Sequence, residues 1–190
     1  MRLRVCKSAL LFSIIFLVAC QSEYNSLVED ELTSGVRNDS IFYSFKFGQT
    51  KTEFYNACWE YNRKKIFTHG PSNNYVQAIL HPKDTTDVKG KIRMLFYAKF
   101  NKEEEIIAMD VKFSHVAWAP WNKDLQADQL LPKVKDTLLK WYPGNDFIKV
   151  KDVLVKVDGN RQIRLKQESD KDVSVVIEDM EYRYNKLRKQ

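Results

Sequence analysis

Residues 91–115 read KIRMLFYAKFNKEEEIIAMDVKFSH. Ile92, Met94, Phe96, Ala98 and Phe100 recur at every second position, and Ile107, Met109, Val111 and Phe113 do the same after a polar break. Alternation of this kind puts each set on one face of an extended chain, so the stretch spells two strands, Lys91–Phe100 and Glu105–His115. Asn101-Lys102-Glu103-Glu104 between them is polar and short enough to be a hairpin connection. The opposite parity carries Leu95 and Tyr97 on the first strand and Ile106 and Ala108 on the second. If helices cover the Phe96 and Met109 face, this second set forms an apolar patch turned away from them.

The covering helices are found by moving outward. Upstream, Tyr75–His81 is another strand-like run, closed by Pro82 and a polar loop through Gly90. Before it, Thr50-Lys51-Thr52-Glu53 has capping-box spacing. Phe54, Cys58 and Tyr61 follow at helical intervals with Tyr55 and Trp59 beside them, which predicts a helix over 51–64 burying a broad aromatic stripe. Ile41, Tyr43, Phe45 and Phe47 alternate and predict a strand that Gly48 ends. Downstream, Val116-Ala117-Trp118-Ala119-Pro120-Trp121 breaks the pattern. Leu131, Val134, Leu138 and Trp141 then mark a second amphipathic helix, with Asp128 as its cap and Pro132 confined to its first turn. Three more strands are expected at Phe147–Val157, Arg161–Gln167 and Val173–Tyr184, turning at Asp158-Gly159-Asn160 and Ser169-Asp170-Lys171. Helix, strand, strand, strand therefore occurs twice, at 51–115 and 129–184. The expected fold class is α+β: an antiparallel β-sheet with two helices on one face, in one domain over 41–190 with tandem halves at about 41–116 and 117–184.

The N-terminus has a different character. Arg2, Arg4 and Lys7 precede the apolar run Ser8–Ala19, which is shorter than the ~20 residues of a spanning helix and suits a secretion signal. Leu17-Val18-Ala19-Cys20 resembles the lipobox of bacterial lipoproteins. The resemblance implies a signal peptide over 1–19, cleavage before Cys20, a diacylglycerol on its thiol and an acyl chain on its new amine, so that fatty chains such as palmitate anchor the protein to a membrane. It also implies an outer-membrane location from Gln21, where aspartate would favour the inner membrane. The single acid in Gln21-Ser22-Glu23-Tyr24 implies the periplasmic face. Residues 20–40, polar and acidic, are expected to be a lipidated tether with a short helical turn at Leu27–Leu32.

On that reading Cys6 leaves with the signal and Cys20 is acylated. Cys58 remains alone, without a disulfide partner, and is expected to be a small buried hydrophobe. Removing residues 1–19 leaves 171 residues and lowers the formal charge from +6 to +3, so nucleic acid is not an expected partner.

Phe45-Lys46-Phe47-Gly48-Gln49-Thr50-Lys51-Thr52-Glu53-Phe54, a strand followed by Gly-x-Thr and a helix carrying an acid and a hydrophobe, is similar to a feature of the small outer-membrane-assembly lipoproteins and of β-lactamase-inhibitor-protein-like repeats. That resemblance implies helices packed on an antiparallel sheet and action by binding other proteins. Gly70-Pro71 corresponds to the glycine-proline pair after the first helix, whereas the second half has no Gly-x-Thr/Ser start of its own.

Catalytic signatures are sparse. His69, His81 and His115 have no zinc spacing, no serine sits in a Gly-x-Ser-x-Gly frame, and no glycine-rich phosphate loop occurs among six glycines. Glu103-Glu104 and the Asp170, Asp172 pair fall at turns, where solvation explains them. The sequence thus favours binding over catalysis and requires no cofactor or metal. Trp118 and Trp121 with His115 form one candidate partner surface, since loop indoles anchor proteins or stack on sugars. Leu95, Tyr97 and Ile106 form the other. The expected role is a non-catalytic envelope protein that binds another envelope protein. The alternative is a glycan- or small-ligand-binding lipoprotein, and a third class is a hydrolase whose deep cleft holds two or more of His81, His115, Asp110 and Glu178.

Overall fold

A computed structural model describes residues 23–71, 75–81 and 90–188 of the chain. The expected signal peptide at 1–19 and the acylated Cys20 lie outside these residues. Among the described residues no helix is long and apolar enough to cross a membrane.

The two strands of the 91–115 stretch form as β3 (Ile92–Phe100) and β4 (Ile106–His115) and pair antiparallel, with Met94 opposite Phe113, Phe96 opposite Val111 and Ala98 opposite Met109. Among the described residues six further strands extend this hairpin: β1 (Phe67–His69), β2 (Val76–Leu80), β5 (Ile148–Val150), β6 (Val153–Asp158), β7 (Arg161–Gln167) and β8 (Val173–Asp179). All pair antiparallel in a single sheet ordered β1-β2-β3-β4-β8-β7-β6-β5. The last strand of each half therefore meets at the centre, where Met109 faces Ile177, Val111 faces Val175 and Phe113 faces Val173. Helices comprise α1 (residues 23–33), α2 (Lys51–Arg63), α3 (Ala127–Trp141) and α4 (Met180–Arg188). The class is α+β.

One large apolar cluster joins Phe54 of α2 and Leu130, Val134 and Leu138 of α3 to Met94, Phe96, Met109, Val111, Ile163, Leu165, Val175 and Ile177 of the sheet. The alternating residues of β6 divide their loyalties. Leu154 packs against this cluster, while Val155 and Val157 join a smaller one with Val28 of α1 and Met180 of α4.

Several local expectations change. Residues 23–40 are part of the folded body rather than a tether. α1 buries Val28, and the chain beyond it is stitched to the β6–β7 turn by Asn38 N donating to Asn160 Oδ1 at 2.6 Å and Asn38 Nδ2 to Asp158 O at 3.2 Å. Gly159 makes that approach close. It sits at φ 56°, and a Cβ there would lie 2.2 Å from Val36 O. Ile41–Phe47 is not a strand: Tyr43 takes φ 51°, the chain folds back so that Ile41 N bonds Phe45 O at 2.9 Å, and Ile41, Phe42, Phe45 and Phe47 are all buried by the bend. The expected strand Phe147–Val157 splits into β5 and β6 at Lys151, φ 57°. β8 stops at Asp179 and α4 follows. α3 is preceded by Gln126, not Asp128, so Pro132 stands inside the helix rather than in its first turn.

Candidate functional site

α2 starts where the sequence places it. Thr50 Oγ1 accepts from Glu53 N at 3.3 Å and Glu53 Oε2 accepts from Thr50 N at 2.8 Å, so each satisfies a free amide of the first turn. The amide and the hydroxyl of Thr50 both donate to Glu53 Oε2, at 2.8 Å each, and hold its carboxyl below the usual carboxylate range. Lys51 N donates to Glu104 O at 2.8 Å, fixing the helix start against the β3–β4 connection.

From there α2 carries two adjacent stripes. Phe54 is buried, with Ala57, Cys58 and Tyr61 packed against the main core, while Tyr55 is exposed and Trp59 is 69% exposed. Lys65 at φ 58° then reverses the chain into β1. The β1–β2 connection closes through Gly70 N donating to Tyr75 O at 2.8 Å. A Cβ on Gly70 would lie 2.7 Å from that oxygen, so only glycine permits the approach. Tyr75 is thereby set beside Tyr97 of β3, ring centroids 6.4 Å apart in an edge-on arrangement.

The result is a groove of about 480 Å³ between the outer shoulder of α2, strand β1, the start of β2 and the middle of β3. Phe54, Phe67 and Phe96 line its depth. Tyr55, Trp59, Tyr75 and Tyr97 line it as well, and Asn62, Thr68 and His69 supply polar groups. Phe67 packs edge-on against Phe96 at 5.1 Å, and Phe45 stacks on Phe67 at 6.2 Å, so the base is rigid. Cys58 also lines the groove. Burial pushes its thiol up to about 12, which keeps it protonated and a poor nucleophile at neutral pH. The site is thus an apolar, aromatic receptacle with a few hydrogen-bonding groups, the chemistry of a recognition pocket.

The sequence-derived candidates are distributed differently. Tyr97, 45% exposed, belongs to the groove, and Leu95 is half-buried on the same strand. Ile106 is a correction: it is 1% exposed, inside the main core, and its carbonyl accepts from Gly48 N at 2.9 Å. The cause is a register shift, because Lys99 faces Ala108 but Phe100 faces Ile106, and the irregularity reverses the parity expected from simple alternation. His115 is 2% exposed and cannot present itself to a partner. Trp118 is half-buried and Trp121 is 83% exposed.

The hydrolase set does not assemble. His115 shares the parity of Phe113 and Met94, whereas Asp110 and Glu178 take the other face, where Asp110 pairs with Lys99 at 2.7 Å and Glu178 with Arg164 and Arg183 at 3.3 Å each. His81 is exposed beyond the end of β2. Among the described residues no three His, Cys, Asp or Glu side chains group as metal ligands.

Tyr55 and Trp59, expected to be buried in the aromatic stripe of α2, are exposed instead, and the sequence marks Tyr75 only as the start of a strand. The signal was there: Tyr55 and Trp59, four apart, form a stripe beside Phe54, Cys58 and Tyr61, and the two together are wider than a single helix face can bury. Comparison with family models, with curated proteins and with solved structures finds no match for this chain.

Proposed function

We propose that this chain is a lipid-anchored envelope protein, facing the periplasm from the outer membrane, that binds another envelope protein without catalysing a reaction. The observation that carries the reading is the α2 groove. Trp59, Tyr55 and Tyr97 are large, partly exposed aromatics around a pre-formed apolar base, and such residues dominate the energetics of protein interfaces. A pocket of this size accepts one or two apolar side chains from a partner. The cysteine at position 20 and the basic, apolar leader before it support the anchor.

Two finer features of the architecture belong to the same proposal. α2 and α3 contribute to one apolar cluster, which supports their lying on a common face of the sheet. Each half runs helix and then four strands, α2-β1-β2-β3-β4 and α3-β5-β6-β7-β8, and the sheet order is mirrored about the β4–β8 seam. That arrangement supports tandem halves, each with one more strand than the sequence pattern suggests.

The test is photo-crosslinking in intact cells, with the crosslinker placed at Trp59, at Tyr97 and, as a control, at exposed Val36. A discrete protein adduct from the two groove positions and none from Val36 is expected. Adducts that are identical at all three positions, or absent from both groove positions, refute the reading. Mass spectrometry of the mature protein tests the anchor separately, through an acylated N-terminal peptide beginning at Cys20.

A further inference from the structure

We infer that a second cleft, beside Trp118, binds a neutral carbohydrate. The cleft measures about 570 Å³, within the ~300–1,000 Å³ range of small-ligand sites, and lies where the segment after β4, the start of α3 and the β7–β8 turn converge. Its aromatic wall is pre-set. Trp118 Nε1 donates to Gln126 Oε1 at 3.3 Å, and Gln126 Nε2 donates in turn to Ala119 O at 3.0 Å and Asn122 O at 2.7 Å. Gln126 is almost wholly buried, so one amide locks the indole and the loop that bears it against the head of α3. A platform fixed in this way loses little freedom when a ligand settles on it. The Lys171 ammonium lies over one face of the indole, 5.7 Å from its centroid, so a sugar ring takes that face as the flexible lysine side chain swings aside.

The remaining lining is dense in hydrogen-bonding groups. Asp128, Gln129, Gln167 and Asp170 all reach the cleft. Asp128 accepts from Gln129 N at 2.9 Å and from Gln129 Nε2 at 3.2 Å. The carbonyl of Asp170 is engaged by Ala127 N at 2.7 Å, which holds the β7–β8 turn to the helix. Lys123 and Lys171 balance the two carboxylates in charge, so neither a polyanion nor a cation is favoured. A sugar fits this combination. One face of its ring presents C–H groups to an indole, while its hydroxyls donate to carboxylates and accept from amides. An apolar ligand would strand the polar lining.

The experiment titrates the full chain with chitobiose, cellobiose and maltose, reading tryptophan fluorescence and amide shifts. Saturable binding of at least one, in the millimolar range usual for single-platform sites, is expected, with shifts at 118, 126–129 and 167–171. Asp170→Asn is expected to weaken it about tenfold, the loss of one charge-assisted bond. Trp118→Ala abolishes it. Because Trp118→Ala can loosen the loop, Gln167→Ala at the exposed end of β7 serves as a second variant and also weakens binding. Trp121→Ala leaves the affinity unchanged, since Trp121 is not in the lining. Failure of all three sugars to saturate, or affinities in Asp170→Asn and Gln167→Ala equal to that of the parent, overturns the inference. The crosslinking at the α2 groove is unaffected by either result.

Discussion

Lys156 is fully buried, and what surrounds it explains why it is tolerated. Its ammonium meets Asp158 Oδ2 at 2.9 Å and also donates to the Asn145 carbonyl. Asp158 accepts from Asn145 N at 2.8 Å and faces Arg161 at 3.7 Å. Arg161 lies over the Tyr142 ring at 4.4 Å and donates to Ser40 O at 3.1 Å, and burial lowers its guanidinium from the ordinary range. One carboxylate thus offsets two buried cations. Asp158→Asn keeps an acceptor for Asn145 but removes the charge, and is expected to destabilise the fold by about 3–5 kcal/mol in urea denaturation. Adding Lys156→Met to that variant is expected to recover a substantial part, because the stranded charge goes with it. A second residue-scale expectation concerns the neutral acids of the interior. Burial raises Cys58 from 9.0 to about 12 and raises Tyr142 as well. The unfolded chain therefore releases these protons first as pH rises. Their contribution is fully present below about pH 9 and is lost progressively as pH climbs toward 12, so the urea midpoint is expected to fall over that window. Below that window folded Cys58 is expected to be far poorer in thiolate than a free thiol, so iodoacetamide should label it much more slowly in the folded than in the urea-unfolded protein.

Elements differ in how they are held, and the difference decided which could be read from sequence. β3 and β4 declare themselves because one face is buried and the alternation is unbroken for most of their length. α2 does so through Thr50 and Glu53. By contrast, α1 is polar in composition and owes its place to distant partners. Glu31 accepts from Gly159 N at 2.6 Å and from Asn145 Nδ2 at 2.5 Å, and Tyr24 Oη donates to Gln162 Oε1 at 2.5 Å. None of those pairings leaves a local trace, so residues 23–40 read as a tether. Ile41–Phe47 misleads in the opposite sense, alternating like a strand while its backbone curls at Tyr43 to bury both parities. The groove was obscured for a related reason: periodicity says that α2 is amphipathic but not how far its apolar sector exceeds the sheet beneath it. Glu31→Ala is expected to release α1 alone, raising amide exchange over 23–33 while β3 and β4 stay protected. α3 offers the converse test. Pro132 lies inside the helix and has no N–H to donate to the carbonyl of Asp128. Pro132→Ala restores that bond and is expected to raise stability by up to about 3 kcal/mol, seen as a higher melting temperature.

For the molecule as a whole, the β4–β8 seam has the largest consequence. Each half of the chain could in principle bury its own helix against its own four strands, and would then unfold separately. The contacts argue otherwise. The strands paired at the seam bring Met109 and Ile177, Val111 and Val175, and Phe113 and Val173 face to face, and all six are in the single large cluster that also holds Phe54 of α2 and Leu138 of α3. Neither half can lose its core without exposing the other's. α1 and Met180 add a smaller cluster against β6, which stabilises one end of the sheet without bridging the seam. The expectation is one cooperative transition. Trp59 on α2 and Trp141 on α3 are natural reporters, one in each half, and replacing the other three tryptophans by phenylalanine isolates each signal. Urea transitions followed at Trp59 alone and at Trp141 alone should coincide with each other and with far-ultraviolet circular dichroism. A polar substitution at the seam, Val175→Thr, should shift both to lower urea by the same amount. Separated midpoints, or a shift confined to Trp141, would mean that the halves are independent units joined edge to edge.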